Sequence, residues 1–368
     1  MLARIVACLA LSLSLGSLAL AQVGATGAVY VATNSAQSNA VLAFDRSADG
    51  ALFPVGSFAT GGRGTGTGLG NQGGVVLSES NRWLFVVNAG SDDISVFEVQ
   101  PEGLSLVDRQ PSGGKQPVSI AQKQGLLYVL NAGGSAGTAD SISGFRVRRS
   151  GKLEPIPGST RPLSGASTGP AEILFSADGT ALLVTEKATN SIDFFTLSEE
   201  GVAEGPSVRA ANGATPFGFA LAKRDQILIS DAHGAPGITG SAVSVYRVSE
   251  HDIEPLASPV PTQHIAACWV VVTNDGRFAY TTNTGDGTIT GFAISFAGEL
   301  SPLNADGTTA VAGSGPIDAG LSNNSRFLFV LNSGSHSLSA FEVQSSGQLT
   351  ELAGVGGLPP STNGLAAR

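Results

Sequence analysis

Glu172 and Asp318 are the acidic residues best placed to do chemistry. When the chain is aligned on its own repeating units, Pro170-Ala171-Glu172 falls on Pro316-Ile317-Asp318, so the two carboxylates occupy equivalent positions. The other units offer Gln72-Gly73-Gly74, Pro117-Val118-Ser119, Pro216-Phe217-Gly218, Ala267-Cys268-Trp269 and Thr362-Asn363-Gly364 at the same point. Lys115, His264 and Trp269 lie close by in sequence. Such a set suits acid–base work, with Glu172 taking a proton, Asp318 orienting, and Lys115 or His264 steadying a developing oxyanion. The same oxygens would also suit a hard cation such as calcium. The plainer alternative is a ring of solvated polar side chains at a wet channel, because spacing alone does not establish convergence.

Other motifs carry less. Gly68-Leu69-Gly70-Asn71-Gln72-Gly73 fits the dinucleotide pattern, but it leads into a strand, so no helix N-terminus awaits a pyrophosphate. Asn34, Asn88, Asn131, Asn283 and Asn332 stand at strand-to-turn junctions, where asparagine usually bonds its own backbone. His233 reads as a loop residue, and Cys268 beside Trp269 as packed core before nucleophile. No nucleophile elbow supports a serine or cysteine triad.

The elements that must position these residues are short strands. A block of apolar residues closed by Asn, Asp or Glu, then a turn, then a second block ending in an aromatic occurs seven times. Examples are Leu84 to Asn88 with Ile94 to Phe97, and Leu328 to Asn332 with Leu338 to Phe341. The spacing of about 50 residues suits a propeller blade of four strands. Runs such as Leu84-Phe85-Val86-Val87 predict second strands buried on both faces, and the partial alternation from Asp93 to Val99 predicts third strands nearer solvent. The expected fold is all-β: one seven-bladed β-propeller over residues 22–368, built from four-stranded antiparallel blades. The first block, at Tyr30, lacks an inner strand of its own. Pro360 to Ala367 parallels the inner-strand openings and is expected to fill that place, removing a free sheet edge.

In such a meander, successive turns alternate between the two ends of the blade. One end collects short turns such as Asp178-Gly179 and Asp275-Gly276. The other collects the insertions Gly61 to Gly74, Ala132 to Asp140, Ser159 to Gly169, Ala232 to Ser241 and Ser258 to Gln263. Function is expected on the insertion-bearing face, at the mouth of the central channel.

Composition narrows the class of partner. Of 368 residues 13% are charged and 42% hydrophobic, which supports a large core and excludes a disordered chain. A net charge of -9 argues against nucleic acid and against anionic membranes. Residues 1–21, with a positive start, an apolar run and Ala19-Leu20-Ala21, predict a cleaved signal peptide and a secreted or periplasmic protein. Beyond it Cys268 is the one cysteine, so no internal disulfide is expected. The reading is a monomer with a small-molecule or protein ligand at the channel face and no resident cofactor beyond the calcium alternative.

Val86-Val87-Asn88-Ala89-Gly90-Ser91 and Val330-Leu331-Asn332-Ser333-Gly334-Ser335 resemble the YVTN-type propeller repeat. The whole mature chain resembles the seven-bladed lactonase family that includes bacterial 6-phosphogluconolactonase and fungal carboxymuconate cyclase. That resemblance implies lactone hydrolysis by a Pro-His pair, followed by five residues and Pro-Asp-Gly, then an acidic residue ending the next strand. Here the frame reads Pro170-Ala171, five residues, Ala177-Asp178-Gly179, then Glu186. Alanine transfers no proton. Two expectations follow: a non-catalytic binding propeller, which the missing histidine favours, or a diverged lactonase with Glu172 as its base.

Overall fold

The computed structural model describes residues 25–133, 138–234, 237 and 240–368; the expected leader, 1–21, lies outside the described residues. Every regular element among them is a β-strand, and the strands form seven antiparallel sheets. Blades one to seven are numbered here by their second strands: Gly27–Ala32, Trp83–Asn88, Leu126–Asn131, Ala181–Glu186, Gln226–Asp231, Phe278–Asn283 and Phe327–Asn332.

The second strands are the hydrophobic partitions of the ring. All six residues of Trp83–Asn88 are buried, and alternate side chains serve alternate seams. Leu84 and Val86 pack with Tyr30, Val41 and Ala366 between blades one and two. Phe85 and Val87 pack with Ile120, Val129 and Phe145 between blades two and three. Burying each such side chain stabilises the fold by about 1.5–3 kcal/mol. The same arrangement is repeated at the remaining seams.

The strand Asn363–Ala367 pairs antiparallel with Gly27–Ala32, matching Val31 to Leu365 and Val29 to Ala367, and so supplies the inner strand of blade one. The first and last strands thus share a sheet, as expected.

The outer strands depart from expectation in blades three, five and six. Each is cut at a proline, and a second piece returns to the same third strand: Leu153–Pro155 then Arg161–Pro162, Ile253–Pro255 then Val260–Pro261, Leu300–Pro302 then Ala310–Val311. Proline has no N–H to continue the ladder, so the chain leaves the sheet and rejoins it. Ser159 to Gly169 and Ser258 to Gln263 are therefore partly outer strand, which corrects their reading as insertions.

Three of the five junction asparagines, Asn88, Asn283 and Asn332, also differ from expectation. Asn88 Nδ2 donates to Asp93 Oδ1 at 2.6 Å and Ser95 Oγ at 2.8 Å, and Asn332 donates to Ser337 and Ser339 in the same way. Asn283 repeats the pattern with Thr288 and Thr290. These side chains tie the second strand to the third because burial removes water and the third-strand hydroxyls are the nearest acceptors.

Candidate functional site

The inner strands begin with a proline or small residue and then slip register, at Pro117/Ser119, Pro170/Glu172 and Pro316/Asp318 among others. A bulge of this kind re-aims the side chain that follows it. At this level each polar ring residue reaches the next blade. Ser119 Oγ accepts from Ile173 N at 3.3 Å, Glu172 Oε2 from Phe219 N at 2.5 Å, and Asp318 Oδ2 from Leu365 N at 2.9 Å. Asp318 Oδ1 also accepts from Ala319 N at 2.8 Å. Both carboxyls are 2% exposed. Burial pushes Glu172 well above the usual carboxylate range, its backbone N–H bond opposes this, and the Asp318 charge adds to the rise. Burial pushes Asp318 up to about 8, against the pull of its two N–H donors.

Above these carboxyls the channel mouth is stoppered. Gln72 donates its backbone N–H to Ala171 O at 3.1 Å, while its amide exchanges two hydrogen bonds with the backbone of Val270, at 3.0 and 3.2 Å. Trp269 Nε1 donates to Asn71 O at 2.7 Å, and Asn71 Nδ2 donates to Val118 O. The glycine-rich run Gly68 to Gly73 therefore laces blades two, three, four and six together across the axis. The plainer alternative of solvated polar side chains at a wet channel does not describe Glu172 and Asp318, which are nearly buried. The last glycine of the dinucleotide-like run is required by space and conformation: Gly73 has φ 75°, and a Cβ there would press on Ser119 Oγ at 2.9 Å.

Beside the stopper lies an apolar cap of Ala171, Phe217, Ala232, Cys268 and Trp269. Ala171, which stands where the resemblance would place a histidine, is fully buried in it. Lys187 lies over the Phe217 ring, 4.6 Å from its centroid, and donates to Gly70 O. Burial lowers its ammonium to about 8 and raises the Cys268 thiol to about 11. Glu186, ending the same second strand, accepts from Ser164 N, Ser164 Oγ and Thr189 Oγ1. Its neighbour Asp193 is pushed up to about 8, first by burial and then by Glu186.

Lys115 and His264 take other partners. Lys115 Nζ pairs with Asp92 at 2.7 Å on the wall of a cleft of about 510 Å³ at the seam of blades two and three, which also holds Arg109, Asp93 and Gly114. His264 sits between Asp286, 2.9 Å from Nδ1, and Thr308, 3.1 Å from Nε2. Among the described residues no hydrogen bond or ion pair joins either side chain to Glu172 or Asp318. Lys187 and Asn71 were not singled out as site residues by sequence reasoning, and Gln72 entered only through the repeat alignment. For Asn71 the run of glycines before a strand was the one signal.

The family profile "Lactonase, 7-bladed beta-propeller" matches residues 25–161 and 241–357. The chain belongs to the seven-bladed β-propeller lactonase family. The interval between the two matched stretches, 162–240, contains Ala171, Glu172, Glu186 and Lys187. Among solved structures, the periplasmic gluconolactonase of Pseudomonas aeruginosa superposes with a TM-score of 0.72 at 19% identity, covering 93% of this chain and 98% of its own. A protein from Bacteroides fragilis described as a candidate 6-phosphogluconolactonase gives 0.72 at 16% identity over 93% and 98%. A Bacteroides uniformis protein described in the same words gives 0.72 at 17% over 92% and 99%. At these identities the likeness is one of fold. No curated protein matches the chain in sequence.

Proposed function

We propose that the protein is a secreted or periplasmic lactonase-family propeller that binds a small-molecule or protein ligand through its insertion-bearing face and does not open lactones there. One observation carries the reading: Ala171, where the resemblance implies a histidine, is buried and apolar. The neighbouring carboxyls point the same way, because Glu172 and Asp318 are nearly buried and each accepts from a backbone N–H of the next blade. A proton-transfer residue must reach its substrate. The cleft with Lys115, Asp92 and Arg109 offers a ligand both signs of charge within hydrogen-bond reach of solvent. No cofactor belongs to this reading, since calcium takes six to eight oxygens and the two channel carboxyls already have N–H partners. The periplasmic Pseudomonas protein and the apolar N-terminal run support export.

A second reading keeps Glu172 as the base of a diverged lactonase, and the raised proton affinity of Glu172 and Asp318 favours it, as catalytic carboxyls are often so tuned. One experiment separates the two. The full chain is expressed, the exported product is weighed to find cleavage near Gln22, and that product is offered a panel of sugar and aromatic-acid lactones. The expected outcome is hydrolysis at the background rate by wild type and Glu172→Gln alike. Turnover that Glu172→Gln lowers by roughly 10²-fold or more would establish the hydrolase instead.

A further inference from the structure

On the opposite face, at the seam of blades five and six, a cleft of about 590 Å³ is lined by Lys223, Arg224, Gln226, Arg277, Ile294 and Phe296, with Asp275 as its one carboxylate. Phe296 is 87% exposed, the most of any large apolar side chain described. It occupies the second position of the turn closed by Ser295 N to Glu299 O. The sister turns of the other blades carry Ala48, Pro101, Arg149, Glu199, Glu250 and Ser345 there, so the turn itself does not require an aromatic. The Arg224 guanidinium lies over the Phe296 ring at 3.3 Å.

Arg224 and Asp225 both have left-handed backbone, φ 60° and 57°; blade three makes its equivalent turn with Gln124 and Gly125 at φ 49° and 80°, so glycine serves there only at the position of Asp225. Ordinary side chains persist in such conformations where surrounding structure or function requires them. Arg277 meets Asp275 only at 3.8 Å and also donates to Ser345 O, so the cations of the cleft are under-neutralised in a chain whose net charge is -9. An adjoining cleft of about 560 Å³ shares Asp275 and Arg277 and reaches Arg326, which is already paired with Glu342 at 2.9 Å.

We infer that this groove docks an acidic peptide segment of a protein partner, with an apolar side chain of the segment seated against Phe296 and Ile294 and its carboxylates on Arg224, Arg277 and Lys223. Arginine forks match carboxylates, and aromatic side chains and arginine are enriched at protein interfaces. The inference is independent of the ligand proposed for the insertion-bearing face, because the two surfaces lie at opposite ends of the blades.

The test uses the full chain and a fluorescent peptide of Gly-Glu-Phe repeats, with a Gly-Lys-Phe peptide as counterpart, read by fluorescence anisotropy. The acidic peptide should bind saturably and more weakly as salt is raised, and the basic one should not bind. Arg224→Gly and Phe296→Ser should each weaken binding roughly tenfold, about 1.4 kcal/mol. Arg224→Gly should leave the melting temperature equal or higher, because glycine adopts this turn without strain. The inference is overturned if both peptides bind alike, if the variants bind as wild type does, or if Arg224→Gly lowers the melting temperature along with affinity. Equal binding of an anionic sugar polymer, or self-association abolished by the same substitutions, would also overturn the assignment to a peptide.

Discussion

Buried carboxyls set the chemistry of individual residues here. Asp193, Asp231 and Asp318 are all pushed up to about 8, chiefly by burial, with Glu186 adding to the rise at Asp193. An unfolded aspartate titrates near 3.9, so between about pH 4 and pH 8 the folded chain holds protons that the unfolded chain has released. Raising the pH through that window therefore favours unfolding. The melting temperature should fall between about pH 5 and about pH 8, and Asp231→Asn with Asp318→Asn should flatten the slope; a temperature that is level or rises over this range in wild type contradicts it. The equivalence of Glu172 and Asp318 was legible in the sequence because the repeat alignment fixes a residue's level in its blade. Their backbone partners were not, because the N–H donors of Phe219 and Leu365 belong to the next blade. Lys115 and His264 were near the ring only along the chain, and one turn of backbone carries each to a different carboxylate.

Among the elements, the second strands were readable in full, since burial on two faces leaves an unbroken apolar run. The broken outer strands were not, since pieces as short as Arg161–Pro162 and Val260–Pro261 carry no period. The segment Gly61 to Gly74, expected among the insertions that carry function, instead ties blade two to blade six through Gln72. Gln72→Ala removes both amide bonds to Val270 and leaves its backbone groups without those partners. That change should destabilise the fold by about 1–3 kcal/mol, read from the urea midpoint. A midpoint unchanged from wild type would show that the amide contacts across the axis are dispensable.

For the whole molecule, the decisive contact is the sheet shared by Gly27–Ala32 and Asn363–Ala367. Leu365 and Leu358 are nearly buried in the seam between blades seven and one, with Phe329, Leu331 and Val31. Leu365→Ala should cost about 2–5 kcal/mol in equilibrium unfolding. Removing everything after Gly357 should leave a free edge and an insoluble or strongly destabilised product. Full stability in the truncated chain would mean the ring holds without its last strand. This pairing also imposes an order in time. A ribosome delivers the N-terminal strands first, and domains begin to organise as they emerge. Val31 nevertheless waits for Leu365, more than three hundred residues later. Blade one is thus begun before any other and finished only when Asn363–Ala367 arrives, and until then the growing chain is an open arc.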